Sequence, residues 1–73
     1  MDFSQALQAI NDADAKIERE AWNGKGQWVS AQHPDENSKM TIPYLYIHTV
    51  SGDLVPWLPS QSDIFGKDWK IVG

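Results

Sequence analysis

The sequence contains no cysteine. A disulfide framework, a thiolate metal site and a thiol nucleophile are all excluded by that absence. Long apolar runs are missing too: nothing approaches the roughly 18 consecutive apolar residues that cross a bilayer, and the N-terminus has neither the basic start nor the apolar run of a signal peptide. The expectation is a soluble protein that stays where it is made and enters no membrane. Positive charge is scarce: six Lys and Arg against ten Asp and Glu leave a net charge of −4. That balance argues against DNA or RNA as a polymeric partner, because binding a phosphate backbone normally rests on a basic surface. It leaves room for a small anion held by local donors. His33 and His48 lack the i, i+4 or clustered spacing of a metal site, so no metal and no cofactor is expected.

Length is the other shortage. A chain of 73 residues makes one domain, residues 1–73. Such a domain buries only about 60% of the surface its unfolded form exposes. With no disulfide to staple it, assembly into a homo-oligomer is the expected support.

Against these absences stand four tryptophans, at Trp22, Trp28, Trp57 and Trp69. Two of them lie in short polar strings, Trp22-Asn23-Gly24-Lys25-Gly26 and Trp57-Leu58-Pro59-Ser60-Gln61-Ser62-Asp63. Indoles beside glycines, amides and hydroxyls suit either an interface between chains or a platform for a planar ligand.

The pattern along the chain predicts an α+β fold, an N-terminal helix packed on a small antiparallel sheet. Phe3, Ala6, Leu7 and Ile10 recur at helical spacing within residues 3–13, with Asp2 and Gln5 as a capping pair. Ala15 to Glu20 alternates as a strand, which puts Arg19 on the face of Ile17 and demands a carboxylate, a carbonyl or an anionic ligand as its partner, unless the side chain snorkels past the sheet edge. Asn23-Gly24 predicts a tight hairpin turn into a second strand around Gln27 to Ala31. His33 to Thr41 reads as an exposed loop. Tyr44 to Val50 is the strongest strand signal, and Leu54 to Leu58 follows as an edge or bulged segment because Pro56 cannot donate to a ladder. Ser60 to Asp63 has capping-box form before a short helical turn that stops at Gly66, and Trp69 to Val72 supplies the last strand.

For chemistry, a helix N-terminus at Ser60, Gln61 and Ser62 offers donors to an anion, the Asn23-Gly24-Lys25 turn adds amides and an ammonium, and aromatic faces stack a purine at about 1–3 kcal/mol each. Each feature alone is ordinarily structural; their conjunction points to a nucleotide-like ligand. Asp63 and Asp68 could act as acid and base, yet capping and turn roles account for both, so the expectation is a binder and not an enzyme.

The strings Ala21-Trp22-Asn23-Gly24-Lys25-Gly26, Val55 to Ile64 and Lys67-Asp68-Trp69, behind the Asp2-Phe3 helix, are similar to those of the second type of Thoeris anti-defence protein, a family of small phage and prophage proteins. The resemblance implies a sponge that binds without cleaving the cyclic ADP-ribose isomer made by a bacterial TIR-domain enzyme, with some members also holding cyclic dinucleotides of the CBASS type. It further implies a homotetramer with pockets between protomers, acting in the cytoplasm of the infected host. Carried over by motif, with Arg19 added from its place beside the core, the ligand-binding candidates are Arg19, Trp22, Asn23, Gly24, Lys25, Trp57, Ser60, Gln61, Ser62 and Asp63. In the roles expected here an indole stacks on adenine, and Asn23 and Gln61 read base or ribose edges. Asp63 accepts ribose hydroxyls or orients Arg19, while Ser60, Ser62 and the turn amides face the pyrophosphate. The alternative is a structural or adaptor protein of a phage whose tryptophans are protein–protein hot spots.

Overall fold

The computed structural model describes every residue except Gly24 and Gly73. Helix α1 spans Phe3–Ala13 and opens with the expected capping box, Asp2 accepting the Gln5 N–H while the Gln5 side chain accepts the Asp2 N–H. Asp14, in the left-handed conformation at φ 52°, ends it. Ala6 and Ile10 are fully buried, so the stripe read from the sequence is the one that packs.

Five strands follow: β1 (Lys16–Arg19), β2 (Trp28–Gln32), β3 (Tyr44–His48), β4 (Leu54–Pro56) and β5 (Trp69–Val72), with a short helix α2 (Gln61–Phe65) before the last. They form one antiparallel sheet in the order β4-β3-β2-β1-β5. The fold is therefore α+β as expected, and β4, which carries Pro56, lies at an edge where its missing donor costs no ladder bond. At the opposite edge Met1 exchanges two backbone bonds with Trp69, its ammonium donating to the Trp69 carbonyl at 2.8 Å and its carbonyl accepting the Trp69 N–H at 3.1 Å. That bridge carries Phe3 against the indole of Trp69.

Alternation decides the two faces. Ile17, Val29 and Ile47 sit side by side on neighbouring strands and, with Ala6, Ile10 and Trp69, make up the core under α1. The opposite face carries Lys16, Trp28, Tyr46 and His48; there His48 stacks parallel on Trp28 at 4.9 Å while Lys16 lies 4.7 Å from the Trp28 ring centre.

Two local expectations need correcting. The strand expected over Ala15 to Glu20 ends at Arg19, and Glu20–Trp22 coil into a 3-10 turn because the Glu20 and Ala21 N–H groups are taken by Asp68. The tight turn expected at Asn23-Gly24 includes Gly24, which lies outside the described residues; Asn23 itself adopts φ 57° to cap the 3-10 turn, its N–H donating to the Glu20 carbonyl, and Gly26 stands at φ 80°. The β3 strand also stops earlier than expected, since Thr49 turns to bond Asp53 across Gly52 at φ 95°.

The core is thin, so each of its members matters. Ile10→Ala is expected to lower unfolding free energy by roughly 2–5 kcal/mol, whereas Ile10→Val costs about 0.5–1.5 kcal/mol. Urea unfolding checks both, and an Ile10→Ala loss no larger than that of Ile10→Val would contradict the placement of this side chain.

Candidate functional site

Trp69 organises the region where the two Trp-centred strings meet. Only 2% exposed, it donates its indole N–H to the Asp63 carbonyl at 2.9 Å. Trp22 stands edge-on to it at 5.4 Å, Trp57 at 6.3 Å, and Phe3 packs tilted at 5.5 Å. Trp22 and Trp57 also meet each other, edge to face, at 6.2 Å. Such geometry matches the ring quadrupoles and fixes the rings more firmly than area burial alone. Trp57 arrives there because its N–H bonds the Leu45 carbonyl just past β4, and Trp22 because the 3-10 turn bends the chain back over the sheet.

Arg19 lies beside these rings. Its Nη1 donates to Asp63 Oδ1 at 3.1 Å and its Nε to Asp68 Oδ1 at 2.9 Å, so of the partners expected for it the structure supplies carboxylates. Asp63 is simultaneously the N3 member of the α2 capping box, whose N-cap is Ser60. Its Oδ2 accepts the Ser60 N–H at 2.9 Å and the Ser60 hydroxyl at 2.8 Å, while its own N–H returns to Ser60 Oγ. Asp68 uses its second oxygen to accept the Ala21 N–H at 3.1 Å.

These bonds set the charges. Partial burial disfavours the Asp63 anion, but the donors from Ser60 and Arg19 outweigh it and hold the carboxyl below its ordinary value. Asp68 is lowered chiefly by the hydrogen bond from Arg19, aided by the Ala21 N–H, and Arg19 is raised by Asp68 and then Asp63. Both carboxylates are thus engaged as acceptors within the chain.

The structure accordingly brings Arg19, Trp22, Trp57, Ser60 and Asp63 together. Ser62 joins through its hydroxyl, 3.0 Å from that of Ser60, and Gln61 is exposed on the first turn of α2. Asn23 and Lys25 are exposed on the connection that follows Trp22, and Gly24 lies outside the described residues. Trp69 and Asp68 were not among the candidates, although both belong to the Lys67-Asp68-Trp69 string; their role depends on pairing β5 with β1, where Arg19 stands opposite Trp69. A groove of about 410 Å³ lined by Tyr44, Leu45, Pro56, Trp57, Leu58 and Pro59 adjoins this cluster at Trp57. Among the described residues no three His, Asp or Glu side chains are grouped to hold a metal ion.

Comparison with known proteins adds the family. The model of the Thoeris anti-defense 2-like domain matches residues 1–72. The chain belongs to the Thoeris anti-defense 2-like family. Within it, the chain is similar to the Thoeris anti-defense 2 protein of Bacillus phage SP01, 26% identical over 85 aligned positions that cover 99% of this chain and 94% of the relative. Membership in the Thoeris anti-defense 2-like family supports an anti-Thoeris role in phage, and the Trp22 and Trp57 strings both lie within the matched region.

The ion-pair network fixes the acid response of this fold. Asp63 and Asp68 have folded values below the ordinary 3.8, so their contribution is fully present above that value and is lost as pH falls through it toward the depressed values, Arg19 remaining charged throughout. Urea unfolding between about pH 3 and 7 should show that loss, and Asp63→Asn should flatten it. Stability that rises on acidification below the ordinary carboxylate range would contradict the network.

Proposed function

We propose that this chain is a phage sponge that binds and sequesters, without cleaving, a TIR-derived cyclic ADP-ribose signal, glycocyclic ADP-ribose, and so keeps the Thoeris effector from being activated. The observation that carries the reading is the meeting of Trp22 and Trp57 at 6.2 Å beside the Arg19–Asp63 pair, in a chain of the Thoeris anti-defense 2-like family. In this reading one indole stacks on adenine, Asn23 and Gln61 read base or ribose edges, and Lys25 neutralises phosphate. Ser60, Ser62 and the amides around Gly24 face the pyrophosphate. Asp63 accepts ribose hydroxyls or serves through Arg19, which it orients. Cyclic dinucleotides of the CBASS type share the same base and phosphate chemistry and are the second ligand class.

The reading of binding without turnover is supported by the engagement of both carboxylates, each already accepting two groups or more from the protein itself. The expected assembly is a homotetramer with pockets between protomers. Support comes from large apolar side chains left in water by the single chain, Leu58 at 89% exposure within the Trp57 to Asp63 string and Phe65 at 76% just beyond it. The site of action is then the cytoplasm of the infected host. The same exposed side chains favour one competing reading, a phage adaptor protein docking through its aromatic surface.

Incubating the protein in excess with glycocyclic ADP-ribose, filtering, and heating the retained fraction distinguishes the readings. The sponge removes the signal from the filtrate and returns it intact on heating, and Trp22→Ala weakens capture by about 1–3 kcal/mol. Signal lost and not returned would mean an enzyme. Signal that never leaves the filtrate, together with a protein partner in pull-downs, would favour the adaptor.

A further inference from the structure

The turn that carries Trp22 is held by a residue that lies outside the proposed ligand contacts. Asp68 accepts three groups from consecutive residues of the segment leaving β1: the Arg19 Nε on Oδ1 at 2.9 Å, the Ala21 N–H on Oδ2 at 3.1 Å, and the Glu20 N–H on its backbone carbonyl at 3.1 Å. These bonds anchor the start of the 3-10 turn, which Asn23 closes by donating to the Glu20 carbonyl; the turn ends at Trp22 and sets that indole edge-on to Trp57 and Trp69.

Gly66 completes the arrangement. Its backbone, at φ −66° and ψ 147°, is one that any residue adopts, so glycine is not required here for a left-handed cap as the end of a helix would suggest. The requirement is steric. A Cβ at this position would lie 2.8 Å from Arg19 Nη2, 3.0 Å from Arg19 Cζ and 3.0 Å from the Ser62 carbonyl oxygen. The guanidinium is tied to Asp63 and Asp68 on other sides, and the Ser62 oxygen is backbone within α2, so neither yields without breaking a bond.

We propose that Asp68 and Gly66 are positioning residues of the Trp22–Trp57 site: Asp68 fixes the turn that presents Trp22, and Gly66 leaves the slot in which Arg19 bridges Asp63 and Asp68. This rests on the nucleotide-binding reading of that site. Neither residue touches the ligand; each acts through Arg19 and the turn, and the common intermediary makes their effects less than additive. Lysine cannot replace Arg19, because a single ammonium lacks the planar fork that reaches both carboxylates in fixed directions.

The test uses Asp68→Asn, Asp68→Glu and Gly66→Ala, read by the near-UV circular dichroism of the aromatic cluster without ligand and by calorimetric titration with glycocyclic ADP-ribose. Asp68→Asn keeps an acceptor but not the charge, and Asp68→Glu keeps the charge at a longer reach, so a failure of one to fold leaves the other to decide. The expected result is parental far-UV spectra, an altered aromatic band in all three, and affinity weakened on the order of tenfold or more, as for a group displaced by a fraction of an ångström. An unchanged aromatic band, or parental affinity in the variants of either residue, overturns the proposal. If the parent protein itself fails to bind the probe, the functional reading falls and the ligand-free spectra still decide whether Asp68 and Gly66 position Trp22.

Discussion

Arg19 spans from the end of β1 to two carboxylates on either side of the α2–β5 junction, Asp63 at 3.1 Å and Asp68 at 2.9 Å, and most of the site's geometry depends on that bridge. Its side chain is 16% exposed, shielded enough that water does not simply replace the partners. A charge so placed is costly to leave alone; removing one partner strands the others, whereas an exposed pair would have been worth little. Through Asp63 the bridge reaches the cap of α2, and through Asp68 it reaches the turn that carries Trp22. Residues far apart in the chain are thereby fixed around one indole, Trp69.

Size explains why polar bonds carry so much here. Among the described residues of this 73-residue chain, six buried hydrophobic residues form the core, and several large apolar side chains stay in water. A core that small leaves the ends of the sheet to be fixed by other means. The capping boxes of α1 and α2, the Met1 bridge to β5 and the Arg19 network do this with directed hydrogen bonds, which specify angle and register where apolar packing would specify only contact. The exposed apolar residues are concentrated along the β4 edge and the segments flanking it, as in Leu54, Val55 and Leu58, which is where the proposed assembly would find its surface.

The elements written in local periodicity were legible. The Phe3, Ala6, Leu7, Ile10 stripe with its Asp2–Gln5 box gave α1, alternation around Ile47 gave β3, Pro56 gave an edge strand, and the Ser60–Asp63 box gave α2. The family was legible as well: the Thoeris anti-defense 2-like model matches residues 1–72, which include both Trp-centred strings. What failed was local chemistry overridden from afar. Alternation carried the expected strand through Glu20, yet the Glu20 and Ala21 N–H groups donate to Asp68 in the 3-10 turn that Asn23 caps, so the strand ends at Arg19. Arg19 showed that it needed a partner and Asp63 was offered as one option through the resemblance, but Asp68 was not, because it lies 49 positions away and meets Arg19 only once β5 pairs with β1. Gly66 looked like a helix stop, and its reason is the guanidinium packed against it.

A crystal structure of the protein with glycocyclic ADP-ribose would show whether the tryptophan cluster holds the signal intact. An uncleaved ligand is expected, its adenine against the indole of Trp22 or Trp57, with the Arg19–Asp63–Asp68 bridge retained behind it. A cleaved product, or an intact ligand seated away from both indoles, would contradict the sponge reading.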